Sequence, residues 1–384
     1  MSLRRGRSCK KHSRWRYTLP SLEAGLDHAT PPHRFGARIS AETVVSPGLP
    51  NILPHPGPSW RETCSSLIQE HPDSTRRKPV LRTGQTEFVA KIRIGISGWS
   101  YDHWRDGVFY PDDLPRRREL EYATRRFNSL EINGSFYSLL RPDTYRKYAA
   151  TAPDGFVFSV KGSRFITHSK QLKDPETPLA NFFASGLLRL EEKLGPVLWQ
   201  LPDMSWDLER TRRFLELLPK DSREASRLAR KHDRRVSGRA SMVVHRNHRI
   251  RHALEPRNPD FFSEEGARVC RNAGVAMAFP DSGDWPYTEE LTAGFVYLRL
   301  HGSPRTYASD YGPRRLESFA ERIRAWKGGG EPPDPVRLTE RVPPRRKERD
   351  VYVYFDNDGE GHAPHDARAL MKVLGVREPE PWEG

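Results

Sequence analysis

Seven charged or titratable side chains sit in or at the ends of runs that otherwise read as apolar strands. Glu131, Glu255 and Asp281 are carboxylates, Lys161, Arg257 and Arg299 are cations, and His301 is an imidazole. A charge inside an apolar strand is costly unless it is paired, hydrogen-bonded or functional. Any one of them would serve as a structural ion pair, but seven together point to a site. Cations suit an anionic substrate, because a guanidinium fork takes phosphate or carboxylate in a bidentate way. His301 beside a glutamate can move protons near neutral pH. Glu131, Glu255 and His301 are therefore the candidate catalytic groups. Lys161, Arg257 and Arg299 are the candidate anion holders, with Trp99, Tyr137, His168, Gln200 and Asn357 as further binding candidates.

Other chemistries fit less well. Two carboxylates flanking one bond, as in a glycosidase, would need Glu131 and Glu255 to face each other across the site. A divalent metal would suit Glu131, Glu255, Asp281 and His301, yet no HExxH-type spacing is present and the neighbouring cations oppose a ligand cluster. No metal site is expected, and no motif assigns a cofactor. The aromatic run Trp99, Tyr101, Trp104, Phe109 and Tyr110 would stack on a ring or cap the fold. Residues 161–172, KGSRFITHSKQL, place Lys161, Arg164 and His168 on one loop suited to a phosphate.

The elements that must position these residues are short β-branched and aromatic runs separated by helical patterns. Eight runs are found, at 92–99, 129–136, 156–163, 195–202, 252–257, 275–282, 295–302 and 351–357. Helical periodicity occupies 116–127, 143–151, 179–194, 208–218, 264–273, 314–327 and 365–374. Eight strands alternating with helices, and no Gly-rich fingerprint after the first, predict an α/β fold of the (β/α)8 TIM-barrel type. Alternation then turns one face of each strand inward. It offers Ser97 and Trp99, Glu131 and Asn133, Lys161, Gln200, Glu255 and Arg257, Asp281, Tyr297, Arg299 and His301, and Asp356 with Asn357.

The chain of 384 residues carries a net charge of +14, unevenly spread. Residues 1–90 account for +7, and residues 220–252 hold 11 Lys and Arg against three acids. The remainder is nearly neutral. Ten prolines and six glycines in residues 1–90, without periodicity, predict a disordered basic extension. Residues 91–376 form the barrel domain, interrupted by surface loops at 220–251 and 328–349, and 377–384 form a flexible tail. Three cysteines without CxxC spacing exclude a disulfide framework and fit a cytoplasmic location. No apolar run approaches the roughly 20 residues of a membrane helix, so no membrane partner is expected.

The segments IRIGISGWSYDHWRDGVFYP (92–111), FNSLEINGSFYSL (127–139), FSVKGSRFITH (158–168), VLWQLP (197–202), RHALEPR (251–257), FVYLRLHG (295–302) and DVYVYFDN (350–357) together resemble the YecE-like family, the domain of unknown function numbered 72. The resemblance implies a TIM-type barrel and carries no assigned reaction. Its pattern falls on Trp99, Glu131, Tyr137, Lys161, His168, Gln200, Glu255, Arg257, Arg299, His301 and Asn357. One departure is Asn258, where the family commonly has histidine. The expectation is an enzyme, a hydrolase or isomerase, binding an anionic, phosphate-bearing small molecule. The alternative is a nucleic-acid-associated protein using the basic 220–251 insertion.

Overall fold

Strand β8 (Phe295–Leu300) shows how the chain builds its interior. All six of its residues are buried, so both of its faces are covered, as in a parallel sheet with helices outside. Val296, Leu298 and Leu300 face the helices, while Phe295 and Tyr297 face a second, smaller core. Continuing on that inner face, Arg299 and then His301 follow towards the C-terminal end. The inner face therefore runs from apolar through hydroxyl to charged within four alternate residues.

The computed structural model describes residues 91–379 and 382. The expected disordered extension, 1–90, lies outside the described residues. The other strands are β1 (Ile92–Ile96), β2 (Ser129–Ile132), β3 (Val157–Lys161), β4 (Leu194–Gln200), β5 (His252–Glu255), β6 (Ala276–Met277), β7 (Phe279–Asp281) and β9 (Asp350–Phe355). They form two wholly parallel sheets, in the orders β1-β9-β8-β7 and β2-β3-β4-β5-β6. The run expected as one strand at 275–282 divides at Ala278, whose amide instead donates to Leu254 O at 2.8 Å.

The two sheets meet at a second place. Ser97 forms a parallel bridge with Glu131, and Gly98 N donates to Glu131 O at 2.9 Å. Just upstream, a Cβ on Gly95 would stand 1.8 Å from Ser129 O, so only glycine permits this approach of β1 to β2. The inner core draws Leu198, Ala253 and Ala276 from one sheet and Phe295, Tyr297, Tyr352 and Tyr354 from the other. Its tyrosines reach across: Tyr297 shares a 2.6 Å hydrogen bond with Ser159, and Tyr354 a 2.7 Å bond with Ser129.

Helices α1 (Glu119–Arg126), α2 (Gly134–Tyr137), α3 (Pro142–Thr151), α4 (Glu176–Ala184), α5 (Leu208–Glu216), α6 (Ser222–Ala229), α7 (Glu264–Ala273), α8 (Pro313–Lys327) and α9 (His362–Leu374) follow or separate the strands. Three begin at acceptors expected of N-caps, Asp207, Asp221 and Ser263. The helix expected at 179–194 ends early, because Gly186 adopts φ 110° and a 3₁₀ segment, Leu187–Lys193, follows. The basic insertion, expected as a loop, opens with α6, pinned by fully buried Ala225 and Ala229. Residues 328–349 carry no helix or strand. Beyond α9, Glu378 pairs with Arg126 and Arg368, and Trp382 packs edge-on against Tyr122 beneath Arg118. Among the described residues no helix is long and apolar enough to cross a membrane.

Candidate functional site at the strand ends

At the C-terminal ends of the strands, Arg299 is the hub. Its Nη2 donates to Glu131 Oε1 at 2.8 Å, Asp356 Oδ2 at 3.0 Å and Ser97 Oγ at 2.9 Å, and its Nη1 donates to Glu255 Oε2 at 3.0 Å. The side chain is wholly buried. Burial alone would drive the proton off, but Asp356, Glu131 and Glu255 hold the guanidinium protonated, well above its ordinary range. Arg299 thus spends its charge on three carboxylates of the protein.

Glu131 is also engaged on both oxygens. Ser97 Oγ donates to Oε1 beside Arg299, and Tyr297 Oη donates to Oε2 at 2.6 Å. Glu255 takes a fork from Arg257, whose Nε and Nη2 reach Oε1 at 2.9 and 2.6 Å. Burial favours a neutral Glu255, yet Arg299, Arg257 and His301 together hold its carboxyl well below the usual carboxylate range. Both glutamates are fully buried.

His301 lies between two acids. Its Nδ1 is 3.1 Å from Asp356 Oδ2 and its Nε2 is 3.5 Å from Glu255 Oε1. Trp285 and Tyr307 stand edge-on to the imidazole at 4.9 and 5.6 Å, and Arg257 stacks on Trp285 with its guanidinium carbon 3.1 Å from the ring centre. These groups roof the histidine, which has no exposed surface. Tyr307 sits at φ 65°, an uncommon conformation for a bulky residue, and such strain gathers at functional sites.

Asp356 is the member of this cluster that reaches the opening, with its side chain 12% exposed. Burial opposes its ionisation, but Arg299, His301 and Lys161 keep the carboxyl far below its ordinary value. Lys161, at the end of β3, has its Nζ 4.6 Å from the centre of the Phe136 ring. Among the described residues it forms no ion pair or side-chain hydrogen bond. Burial, followed by repulsion from Arg299, lowers its pKa. His168, on a π-helical turn (Phe165–Ser169), lies edge-on to the same Phe136 ring at 5.1 Å, and its Nδ1 is 2.8 Å from Thr167 Oγ1. Burial and the charges of Lys161, Arg164 and Arg257 depress its pKa to about 4, so it is neutral at physiological pH.

The remaining expected residues spread around the rim. Trp99 and Tyr137 border a cavity of about 340 Å³ with Tyr101, Asn133 and Tyr148. Tyr137 is 70% exposed. Tyr101 Oη donates to Ser97 O at 2.7 Å. Gln200 is nearly buried and gives its amide to Leu201 O at 2.7 Å. Trp104 and Tyr110 are fully buried packing residues.

Two residues of the inward set face elsewhere. Asn357 donates to Asp366 Oδ2 at 2.8 Å and Ser309 O at 3.0 Å, fastening β9 to α9. Alternation from the inward Tyr352 and Tyr354 reaches Asp356, so Asn357 is out of phase. Asp281 is out of phase in the same way, sharing the side of outward-packed Met277 and Phe279. It pairs with Arg315 of α8 at 2.8 Å and accepts a hydrogen bond from Tyr311. The third carboxylate of the cluster is therefore Asp356. Trp285 and Tyr307 had no periodic signal; their one clue was position, as aromatics in loops that follow strands. The clustered acids are tied to arginines, and among the described residues no group of three or more His, Cys, Asp or Glu is arranged to hold a metal.

Comparison with known proteins gives a consistent relationship. Residues 93–383 match the family model described as "Protein of unknown function DUF72". A stretch of 112 residues is 29% identical to the UPF0759 protein YecE of Escherichia coli K12, covering 29% of this chain and 38% of that protein. Another of 116 residues is 28% identical to UPF0759 protein YunF of Bacillus subtilis 168, covering 29% and 40%. The chain thus aligns with about two fifths of the length of these relatives. The crystal structure of a DUF72 family protein from Thermotoga maritima superposes with a TM-score of 0.55 at 22% identity, covering 74% of this chain and 99% of that one. That likeness concerns the fold, while the family match extends across every described strand but the first residue of β1. The chain belongs to the DUF72 family.

Proposed function

We propose that this chain is an enzyme built on a (β/α)8 barrel, binding an anionic, phosphate-bearing substrate at the C-terminal ends of its strands. The barrel reading rests on the Ser97–Glu131 bridge, the Ala278–Leu254 hydrogen bond and the inner core shared by both sheets. A closed parallel barrel places its active site at this end. The observation that carries the function is the pairing of His301 with Asp356 at 3.1 Å, beneath an aromatic roof and beside the unpaired Lys161.

Each residue then has a distinct task. Lys161, lacking a carboxylate partner among the described residues, meets the substrate's negative charge, and the half of the Arg257 fork turned from Glu255 assists. Arg299 holds Glu131, Glu255 and Asp356 in place and fixes the field of the site, a positioning role. His301 and Asp356 carry the proton, with Asp356 as the end that meets solvent and Glu255 orienting the ring. Trp285 and Tyr307 exclude water and must move for substrate to reach the imidazole. Hydrolysis and isomerisation both use such a proton relay. The three widely spaced cysteines favour a cytoplasmic setting.

Titration of the full chain with inorganic phosphate and a panel of sugar phosphates tests this reading. Saturable binding is expected, weakened about tenfold or more by Lys161→Ala and largely restored by Lys161→Arg. Absence of binding, or binding undiminished by Lys161→Ala and His301→Ala, overturns it.

A further inference from the structure

A second cavity shares no lining residue with the strand-end cluster, and its lining is unusual. It is a cleft of about 960 Å³ between the start of α3, the 3₁₀ segment after α4, the outer face of α6 and residues 238–244. Six arginines border it: Arg141, Arg189, Arg223, Arg227, Arg230 and Arg239. The one acidic residue in the lining, Asp143, already pairs with Arg146. Little in the protein offsets the positive charge. Arg141, Arg223 and Arg230 make no ion pair or side-chain hydrogen bond among the described residues, and Arg227 reaches Glu224 only at 4.0 Å. Arg189 and Arg239 are held by neutral acceptors, Ser241 Oγ at 2.8 Å and Leu139 O at 3.2 Å.

The walls are also preformed. Residues 223, 227 and 230 follow helical spacing, so they share one face of α6, while Ala225 and Ala229 anchor the other. The facing loop is fastened at two points: Ser241 N donates to Ala184 O at 2.8 Å, and Ser226 Oγ donates to Met242 O at 2.7 Å. Six like charges held around one concavity repel each other unless an anion joins them.

We propose that this cleft binds a compact ligand with three or more linked phosphate groups, an oligophosphate either free or as the tail of a nucleotide. Guanidinium forks match phosphate oxygens in pairs, and every basic residue in the lining is an arginine. The volume lies at the upper end of small-molecule pockets, roughly 300–1,000 Å³. A single-stranded nucleic acid would want aromatic faces on which to stack its bases, and the lining contains none. The site is separate from the strand-end cluster and does not depend on its function.

Calorimetric titration of the full chain with sodium tripolyphosphate, a nucleoside triphosphate, orthophosphate and short single- and double-stranded DNA tests the assignment. Tripolyphosphate is expected to bind about a hundredfold or more tighter than orthophosphate, with affinity falling as salt rises. The double variant Arg223→Ala, Arg230→Ala removes two exposed, unpaired side chains. It should weaken binding by about a hundredfold, about tenfold per arginine, with an unchanged thermal transition. Lys161→Ala should leave it intact. Equal affinity for the two triphosphates identifies the phosphate chain as the ligand, and tighter binding of the nucleotide identifies its tail as that chain. No saturable binding of tripolyphosphate, insensitivity to the double variant, loss on Lys161→Ala, or a preference for DNA at equal phosphate concentration overturns the proposal.

Discussion

Arg299 Nη2 and Glu131 Oε1, 168 residues apart in sequence, meet at 2.8 Å with both side chains wholly buried. The pair joins strands from the two sheets and sits at the centre of a charge cluster whose other acids are Glu255 and Asp356. Removing its cation leaves three carboxylates without their shared partner. Arg299→Met should therefore cost about 3–5 kcal/mol at neutral pH. Without Arg299, which helps to hold them low, the carboxyls of Glu255 and Asp356 shift upward, so their neutral forms are favoured at low pH and that contribution is lost as pH rises through the raised values. The deficit should shrink towards pH 5. Arg299→Lys should recover only part, because one ammonium lacks the fork that spans three acids. Urea denaturation at pH 7 and pH 5 checks the prediction, and an equal deficit at both would count against it.

His252 offers a cleaner titration. Trp199 Nε1, a donor only, points at His252 Nδ1 at 3.2 Å, and His252 Nε2 lies 2.8 Å from Pro219 O, an acceptor only. Those partners require the neutral ring with its proton on Nε2. A second proton would face the indole N–H, and burial lowers the pKa to about 4. The folded value lies below the unfolded value of about 6.5. Its contribution is therefore complete above about pH 6.5 and lost as pH falls to about 4, by about 3 kcal/mol at most. His252→Gln abolishes the titration. Its stability between pH 6.5 and 4 should fall less than that of the unchanged protein, as read from denaturation midpoints.

How far the site was legible follows from strand parity. Tyr297, Arg299 and His301 alternate along one strand, and the same parity carries Ser129 to Glu131, Ser159 to Lys161 and Ala253 to Glu255. Side chains that alternate with buried inward residues were found because the pleat leaves them no other direction. Parity also explains the two that face elsewhere, since Asn357 and Asp281 each stand one residue out of phase. Trp285 and Tyr307 obey no period, being placed by loops whose course depends on tertiary contacts. The arginine cleft was visible only as a basic run. Nothing in that run shows that α6 and the residue that ends it would set Arg223, Arg227 and Arg230 opposite Arg141 and Arg189.

Asp358 lies just beyond Asp356, with its carboxyl raised to about 6 by burial and by the neighbouring Asp356 charge. Its backbone oxygen accepts from His103 Nε2 at 2.6 Å and Trp104 Nε1 at 3.1 Å, contacts that a side-chain change leaves in place. A raised acid stabilises the fold in its neutral form, and that contribution is lost as pH rises through about 6. Asp358→Asn should match the unchanged protein near pH 4 and exceed it at pH 8 by on the order of 1–2 kcal/mol, allowing for solvent screening. Thermal denaturation across this range measures the difference. A variant less stable than the unchanged protein at pH 8 would show that the ionised carboxylate is favoured there.

Gly95 tests whether β1 and β2 adjoin as the proposed barrel requires. A Cβ at this position would lie 1.8 Å from Ser129 O, a backbone atom that moves only if a strand moves. The neighbouring contacts leave little room for that. Ile94 N is held by Asn128 Oδ1 at 2.8 Å, and Asn128 Nδ2 returns to Ile92 O at 3.0 Å. Gly95→Ala must therefore part the two strands or strain both, at a cost of about 1–3 kcal/mol or more. Displacement there would also shift Ser97 against Glu131, two residues further on, and with them the Arg299 cluster. Gly155→Ala is the comparison, because a Cβ there meets nothing within 4 Å and its cost arises from φ 73° alone. If Gly95→Ala were no more costly than a surface substitution, within about 0.5 kcal/mol, the close approach of β1 to β2 would be refuted, and the closed barrel with it.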